Sequence, residues 1–430
     1  MRLAPSAALA LVLCAPASMA QQFIPIPGTS TIPGENENVC IVSGVSGYSG
    51  VRVSADGQVV GTVGFEPGFV SGYIPRYGVR WTAATGTRIV TPPLNGLYPV
   101  VGLSADGSTL LGENWRWTVS GGYQNLIPLL SDQFGVWRRE LFGCSDDGLT
   151  LVGIEGIYPD EGDMFTLRLP SGAATLLPRA TEVPQGYFYF NAISGDGRVV
   201  GGSTRAFDPE NIASTLYAGV VIRNGSPQLI TSQVGQAGVT DLSFDGSVAV
   251  GYTADGGFRL RAFRWDGQLQ FLDEGLLGGS DSAFARAVNR DGSVVVGEYL
   301  RFGTAGTRAF LWREGEGIVD LQEYLANTVG LSVELNGWQL LVASDVSADG
   351  LTIVGQGLNP TGCEQAFLVR LPGPDGCRAD FNGDGGVDSD DVIEFFAQWD
   401  SGATRADFNR DGGVDADDVI AFFERWDGGC

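Results

Sequence analysis

One phrase recurs seven times between residues 50 and 360, and it restricts the fold more than anything else in the chain. Its first copy reads Val53-Ser54-Ala55-Asp56-Gly57, followed by Val59-Val60-Gly61. Later copies centre on Asp106, Asp147, Asp196, Asp245, Asp291 and Asp349, each followed by glycine. The spacings are 50, 41, 49, 49, 46 and 58 residues, a period near 49 that marks a repeat architecture. Each phrase reads as a hairpin. An apolar residue (Val53, Leu103, Cys144, Ile193, Leu242, Val288 or Val346) precedes a tight Asp-Gly turn, and a β-branched run such as Val294-Val295-Val296 follows. A third strand follows in several copies, as in Arg261–Trp265, Arg308–Trp312 and Gln365–Val369, and then a fourth, as in Gln268–Leu272. Four strands at this period predict a β-propeller blade, and seven blades close a ring.

The last repeat stops at Leu371, after its third strand. Residues 39–54 align with the stretch 270–289, so Val39–Val42 is expected to supply the missing outer strand and remove two exposed sheet edges.

The last fifty-odd residues carry a different duplication. Asp380, Asn382, Asp384, Asp388 and Asp391 stand at positions 1, 3, 5, 9 and 12 of a loop with glycine at position 6, and Gly386 offers its backbone carbonyl from position 7. Asp407, Asn409, Asp411, Gly413, Asp415 and Asp418 repeat the set. Oxygen donors at this spacing wrap a hard cation, so two Ca²⁺ sites are expected. Val392, Phe395, Phe396 and Trp399 follow the first loop at helical spacing, and Val419, Phe422, Phe423 and Trp426 follow the second. Each loop therefore opens into a short amphipathic helix, and the two aromatic faces can bury only against each other.

This module, residues 377–430, resembles a dockerin, the duplicated calcium-loop domain that docks exported proteins onto cohesin partners. The resemblance implies metal ligation by the residues just named and partner recognition through Ser389, Asp390, Ala416 and Asp417. Those pairs differ from the Ser-Thr type common in cellulosomal dockerins. The Gly429-Cys430 terminus is similar to the Gly-Cys-terminated variant of planctomycete-type exported proteins. The implied partner is a cohesin-like or other cell-envelope anchoring protein. The blades resemble the His-Ala-Phe (HAF) repeat of bacterial extracellular proteins, carried by Leu276-Leu277-Gly278-Gly279, Ala287–Gly292 and Arg308–Trp312. Arg261, Arg308 or Gln365 replaces its histidine. That family implies secretion and no known reaction.

Residues 1–20 read as a signal peptide: Arg2, an apolar run from Leu9 to Cys14, and Ser18-Met19-Ala20 before Gln21. No later stretch reads as a transmembrane span. The expected organisation is a signal peptide (1–20), a propeller (21–372), a linker (373–376) and the calcium module (377–430). Net charge is −24, to which residues 377–430 contribute 14 acids against 4 arginines. Phosphate binding needs a basic face, so no nucleic-acid partner is expected. The chain has neither histidine nor lysine. That excludes a Ser-His-Asp triad, a histidine metal site and a Schiff-base lysine.

Of the cysteines, Cys377 and Cys430 bracket the calcium module and are expected to pair. Cys40 with Cys363 would lock the ring; Cys363 with Cys377 would instead join the two domains. Cys144, in a position held by Val, Leu or Ile elsewhere, reads as a buried, unreactive thiol. The seven Asp-Gly pairs read as turns rather than metal ligands. Trp115, Trp137 and Trp338 are candidates for sugar stacking against a stronger expectation of packing, and Asp160, Glu161 and Asp163 read as a solvated loop. The sequence thus predicts a secreted, non-enzymatic propeller for binding or display, anchored through its calcium module, with no catalytic residue assigned. The alternatives are a tethered glycosidase or polysaccharide lyase and a lectin-like sugar binder. Converging carboxylates, or tyrosine with arginine, at the channel would favour an enzyme acting on polysaccharide.

Overall fold

The structure is a computed structural model. It describes residues 22–27, 50–65, 76–94, 100–134, 138–156, 162–178, 187–206, 216–231, 237–254, 259–272, 282–300, 306–372, 379, 381, 389–408 and 413–428. The chain divides into a propeller unit, Phe23–Val369, and a smaller unit that includes Arg370–Cys430.

Among the described residues, seven four-stranded antiparallel sheets follow one another as blades. In six of them the strand order is the chain order, from the innermost strand outward. Blade 6, for example, runs Ser282–Val288, Val294–Leu300, Thr307–Arg313 and Gly317–Asp320. Helix α1 (Ile127–Phe134) follows the outer strand of blade 2, and α2 (Leu321–Asn327) follows that of blade 6.

The recurrent phrase builds one hydrogen-bond device in each blade. In blade 1 the Ser54 hydroxyl donates to Asp56 Oδ1 at 2.5 Å and accepts from the Val59 N–H at 2.9 Å, while Asp56 Oδ1 accepts from Gln58 N–H at 3.0 Å. The turn glycines lie at φ between 65° and 84°, a region that side chains disfavour. In blade 6 Asn289 replaces the serine, and its Oδ1 accepts from Val294 N–H at 2.9 Å. The Asp-Gly pairs are therefore turn elements, as the sequence indicates.

The blades then close on one another through their backbones. Ala55 N–H donates to Ala105 O, Ala105 to Asp146 and Asp146 to Gly195, at 2.8–2.9 Å. Asp196 continues to Phe244, Phe244 to Arg290, Arg290 to Ala348, and Ala348 back to Ala55, at 2.9–3.3 Å. One inter-blade bond at each of the seven junctions makes an uninterrupted belt.

Glycine in the second strand and phenylalanine in the third are coupled. Gly153, Gly251 and Gly297 stand opposite Phe165, Phe263 and Phe310 in the sheet register. A Cβ on Gly297 would overlap the Phe284 carbonyl and crowd the Phe310 ring, and one on Gly251 would overlap the Gly238 carbonyl. The rings fill the space glycine leaves, and all of these phenylalanines are fully buried.

The closing strand differs from expectation. Gln22–Pro25, not Val39–Val42, is the outer strand of blade 7, beside Glu364–Arg370. Val39–Val42 lies outside the described residues. Phe23 explains the choice: its ring meets Trp338 edge-on at 5.0 Å and Phe367 at 6.0 Å. Beyond the strand, Ile26 is fully buried and its N–H donates to Ala366 O at 2.9 Å.

In the smaller unit, α3 (Ser389–Asp400) and α4 (Ala416–Gly428) share an aromatic core. Phe395 and Phe422 stack at 4.1 Å with their planes 5° apart, and Phe381 and Phe408 meet them edge-on. The expected mutual burial of the two aromatic faces is what the structure shows.

Gly297→Ala is expected to destabilise the propeller by about 1–3 kcal/mol, because its new Cβ meets backbone that cannot rotate away. Urea unfolding monitored by tryptophan fluorescence measures this.

Candidate functional site

The innermost strands surround a central channel holding a cavity of about 160 Å³. In blades 2 to 7 each of these strands is interrupted by a β-bulge. The residue after each bulge lines the cavity: Gly102, Gly143, Ala192, Asp241, Ala287 and Asp345, with Arg52 in the equivalent place of blade 1. Four of the seven positions are thus glycine or alanine, and three are charged.

Asp241 and Asp345 are held alike. Asp241 Oδ2 accepts from the Val288 N–H of blade 6, and Asp345 Oδ2 from the Val53 N–H of blade 1, both at 2.9 Å. Each carboxylate clasps the following blade while staying half-buried against the channel. Desolvation, together with the charge of Asp345, pushes Asp241 up to about 7, and desolvation also raises Asp345 against the opposing pull of Arg52. Arg52 is half-buried, and no described carboxylate lies within ion-pair distance of it. Arg286, also lining the cavity, pairs with Glu298.

A second layer crosses the channel at the level of the belt. Arg290 of blade 6 reaches Asp146 of blade 3 at 3.7 Å and lies 3.6 Å over the Phe244 ring. Phe244 and Asp146 both pack over Gly195, where a Cβ would come within 2.8 Å of each. Burial raises Asp146 and Arg290 opposes that rise.

Cys144 is a free thiol on the channel wall, against Gly102. Burial, reinforced by Asp146, pushes it up to about 12, so it is a poor nucleophile. Cys363 is not a free thiol, and Cys40, Cys377 and Cys430 lie outside the described residues.

Of the expected calcium ligands, Asp391, Asp407, Gly413, Asp415 and Asp418 are described; Asp380, Asn382, Asp384, Gly386, Asp388, Asn409 and Asp411 are not. Asp391 and Asp418, at position 12 of the two loops, are fully buried at the starts of α3 and α4. Asp418 Oδ2 accepts from Asp415 N–H at 2.8 Å, and Asp415 Oδ1 from Asp417 N–H at 3.0 Å. Ser389, Asp390, Ala416 and Asp417 are exposed, as are Ile393 and Ile420 at matching places on the two helices.

Other candidates resolve as packing. Trp115 is fully buried and Trp338 nearly so, in line with the expectation of packing over sugar stacking. Trp137, Asp160 and Glu161 lie outside the described residues. A tyrosine does meet an arginine in blade 6, around Asp320. The Tyr299 hydroxyl donates to Asp320 Oδ2 at 2.7 Å, Arg308 reaches the same oxygen at 3.3 Å, and Asp320 Oδ1 caps α2 through Glu323 N–H at 2.8 Å. Burial and the bond to Asp320 raise Tyr299, which suits a structural clasp rather than a base.

Sequence reasoning missed Asp241, Asp345 and Arg52. Their signal was present: aligned on the repeat, they depart from the glycine or alanine that four copies carry two residues before the turn serine.

No family model matches the sequence, and no curated protein matches it. In the fold of its propeller the chain is similar to the β-propeller domain of the Trilobed protease from Pyrococcus furiosus. Identity is 11% and the TM-score 0.48, over 77% of this chain and 93% of that one. It is also similar to an oligogalacturonate lyase in complex with manganese (12% identity, TM-score 0.46, 82% and 98% covered). TolB from Acinetobacter baumannii is a third (12%, 0.37, 71% and 79%). Likeness at this level carries no argument about activity.

The raised Asp241 has a signed consequence for stability. Between the ordinary carboxylate range and about pH 7 the folded state keeps a proton that the unfolded chain has released. The favourable contribution is complete below about pH 4 and lost as pH rises through about 7. Asp241→Asn keeps the group neutral, so relative to the native chain it is expected to gain on the order of 2 kcal/mol between pH 4 and pH 8, water in the channel reducing the full effect. Denaturant melts of both proteins at the two pH values measure this.

Proposed function

We propose that this is an exported β-propeller that binds or displays a ligand and is held to a cell-envelope partner by its helical unit. In this reading residues 1–20 direct export, and cleavage before Gln21 leaves the closing strand Gln22–Pro25 intact. Two Ca²⁺ ions occupy the loops that precede α3 and α4 and drive that unit to order. The observation that carries the reading is the matched burial of Asp391 and Asp418 beside an aromatic core. Burying a carboxylate is costly unless hydrogen bonds or a cation compensate, and both stand where a twelve-position loop places its last ligand. Ser389, Asp390, Ala416 and Asp417 then face a cohesin-like partner, beside the exposed Ile393 and Ile420. We also assign Cys377–Cys430 as a bond across this unit and Cys40–Cys363 as a lock on the ring; the engagement of Cys363 fits this pairing and the alternative Cys363–Cys377 alike.

One observation favours a second reading, a carbohydrate-active enzyme tethered in the same way. Asp146, Asp241 and Asp345 converge on the channel, and Asp241 is raised toward the range of a general acid. Against it, the cavity is small, the Asp146–Arg290 pair crosses it, and both Asp241 and Asp345 are tied to backbone. Release of reducing ends from a polysaccharide panel, absent in Asp241→Asn, would establish this reading over the first.

The full chain is expected to lose helical ellipticity in EDTA and regain it in millimolar Ca²⁺. Asp391→Asn with Asp418→Asn should weaken the calcium dependence at least about tenfold. Identical melting profiles with EDTA and with calcium would remove the anchoring proposal. Capture of an envelope protein only without chelator would identify the partner.

A further inference from the structure

The channel holds opposite charges that do not satisfy one another. Asp241 and Asp345, from blades 5 and 7, face the cavity with Arg286 and Ala287 of blade 6 between them. Arg52 lines the same cavity from blade 1, feels both carboxylates, and has no described carboxylate within ion-pair distance. The other charged groups of the lining are already engaged: Arg286 with Glu298, and Arg290 with Asp146. Arg52 and Asp345 on adjoining blades, with Asp241 two blades from Asp345, thus line a space of about 160 Å³, room for a few water molecules or one small solute.

We propose that the channel waist is a binding site for a small zwitterion of the α-amino-acid class, with its ammonium group between Asp241 and Asp345 and its carboxylate on Arg52. Each solute charge meets the opposite charge already in place, and Arg52 offers the planar fork that matches a carboxylate. A simple cation would leave Arg52 without a partner, and a simple anion would add to the two aspartates. The cavity holds compact members of the class whole. Glycine, alanine and serine fit this size.

Binding is coupled to a proton. Near neutral pH part of the Asp241 population is protonated, and an ammonium group beside it favours the ionised form, so a proton leaves as the solute enters. The charged groups acting on Asp241 in this exchange are Asp345 and Arg52, with Arg286, Arg290 and Asp146 completing the lining.

The proposal rests on reading the propeller as a ligand-binding domain and is independent of calcium at the helical unit. The test is titration calorimetry on the full chain at pH 7 in saturating calcium. Glycine, L-alanine and L-serine are the zwitterions, with ethylammonium and acetate as single-charge controls, in two buffers of different ionisation enthalpy. Saturable binding of the zwitterions with proton release is expected. Arg52→Gln and Asp345→Asn should each weaken it at least about tenfold, the loss of one charge-assisted contact. In Asp241→Asn the proton release should disappear. Circular dichroism and melting without solute establish that each variant is folded, and any unfolded one is replaced by Arg52→Lys or Asp345→Ser. No binding by any zwitterion overturns the proposal. So does ethylammonium or acetate binding as tightly as glycine, or affinity unchanged in folded Arg52 and Asp345 variants. Repeating the titration in EDTA separates this site from the anchor, because solute binding should survive where the helical response is lost.

Discussion

The belt of backbone hydrogen bonds around the channel is the constraint on which the propeller rests. A blade alone presents two apolar faces that only neighbouring blades can cover, and a ring of blades is stable only when its first and last members meet. The residue between serine and aspartate in each turn supplies the N–H that reaches the next blade, apart from blade 4, where the aspartate itself does so. Serine and aspartate hold that residue in position by bonding to each other and to the returning strand. The repeat phrase is therefore a junction as much as a turn, which explains why its polar members are buried or tied while the residues around them vary.

A junction built from backbone leaves the channel-lining side chains free to differ. Four of the seven positions after the bulge carry glycine or alanine, which clears a cavity, and three carry charge. Two of the charged residues also fasten the next blade through an N–H, so the same carboxylates that support the ring face its lumen. Support of the ring and exposure to its lumen thus coincide in Asp241 and Asp345. The amide variants retain an acceptor for the N–H while removing the charge.

Much of this was legible in the chain. The seven copies define the blades, the Ala-Phe pairs mark third strands, and the glycine ending the Val-rich run is where the phenylalanine ring needs room. The two aromatic stripes at the C-terminus announce a pair of helices that bury each other. The closing strand was not legible in the same way. Val39–Val42 has the apolar character of an outer strand, but four residues paired along one edge carry little register information. The choice of Gln22–Pro25 depends on a pocket formed by Trp338 and Phe367, residues more than three hundred positions away. Asp241, Asp345 and Arg52 were hidden because attention to what a repeat keeps passes over what single copies change.

Closure by Gln22–Pro25 also sets the order of folding events. Gln365 Nε2 reaches Ile26 O at 3.0 Å across 339 positions of sequence, about the widest separation the propeller unit offers. Contacts this distant form late, because the loop they close must first lose its freedom. A ribosome must deliver nearly the whole molecule before its first strand has a place to dock. Until then the last blade lacks its outer strand and the ring stays open at that edge.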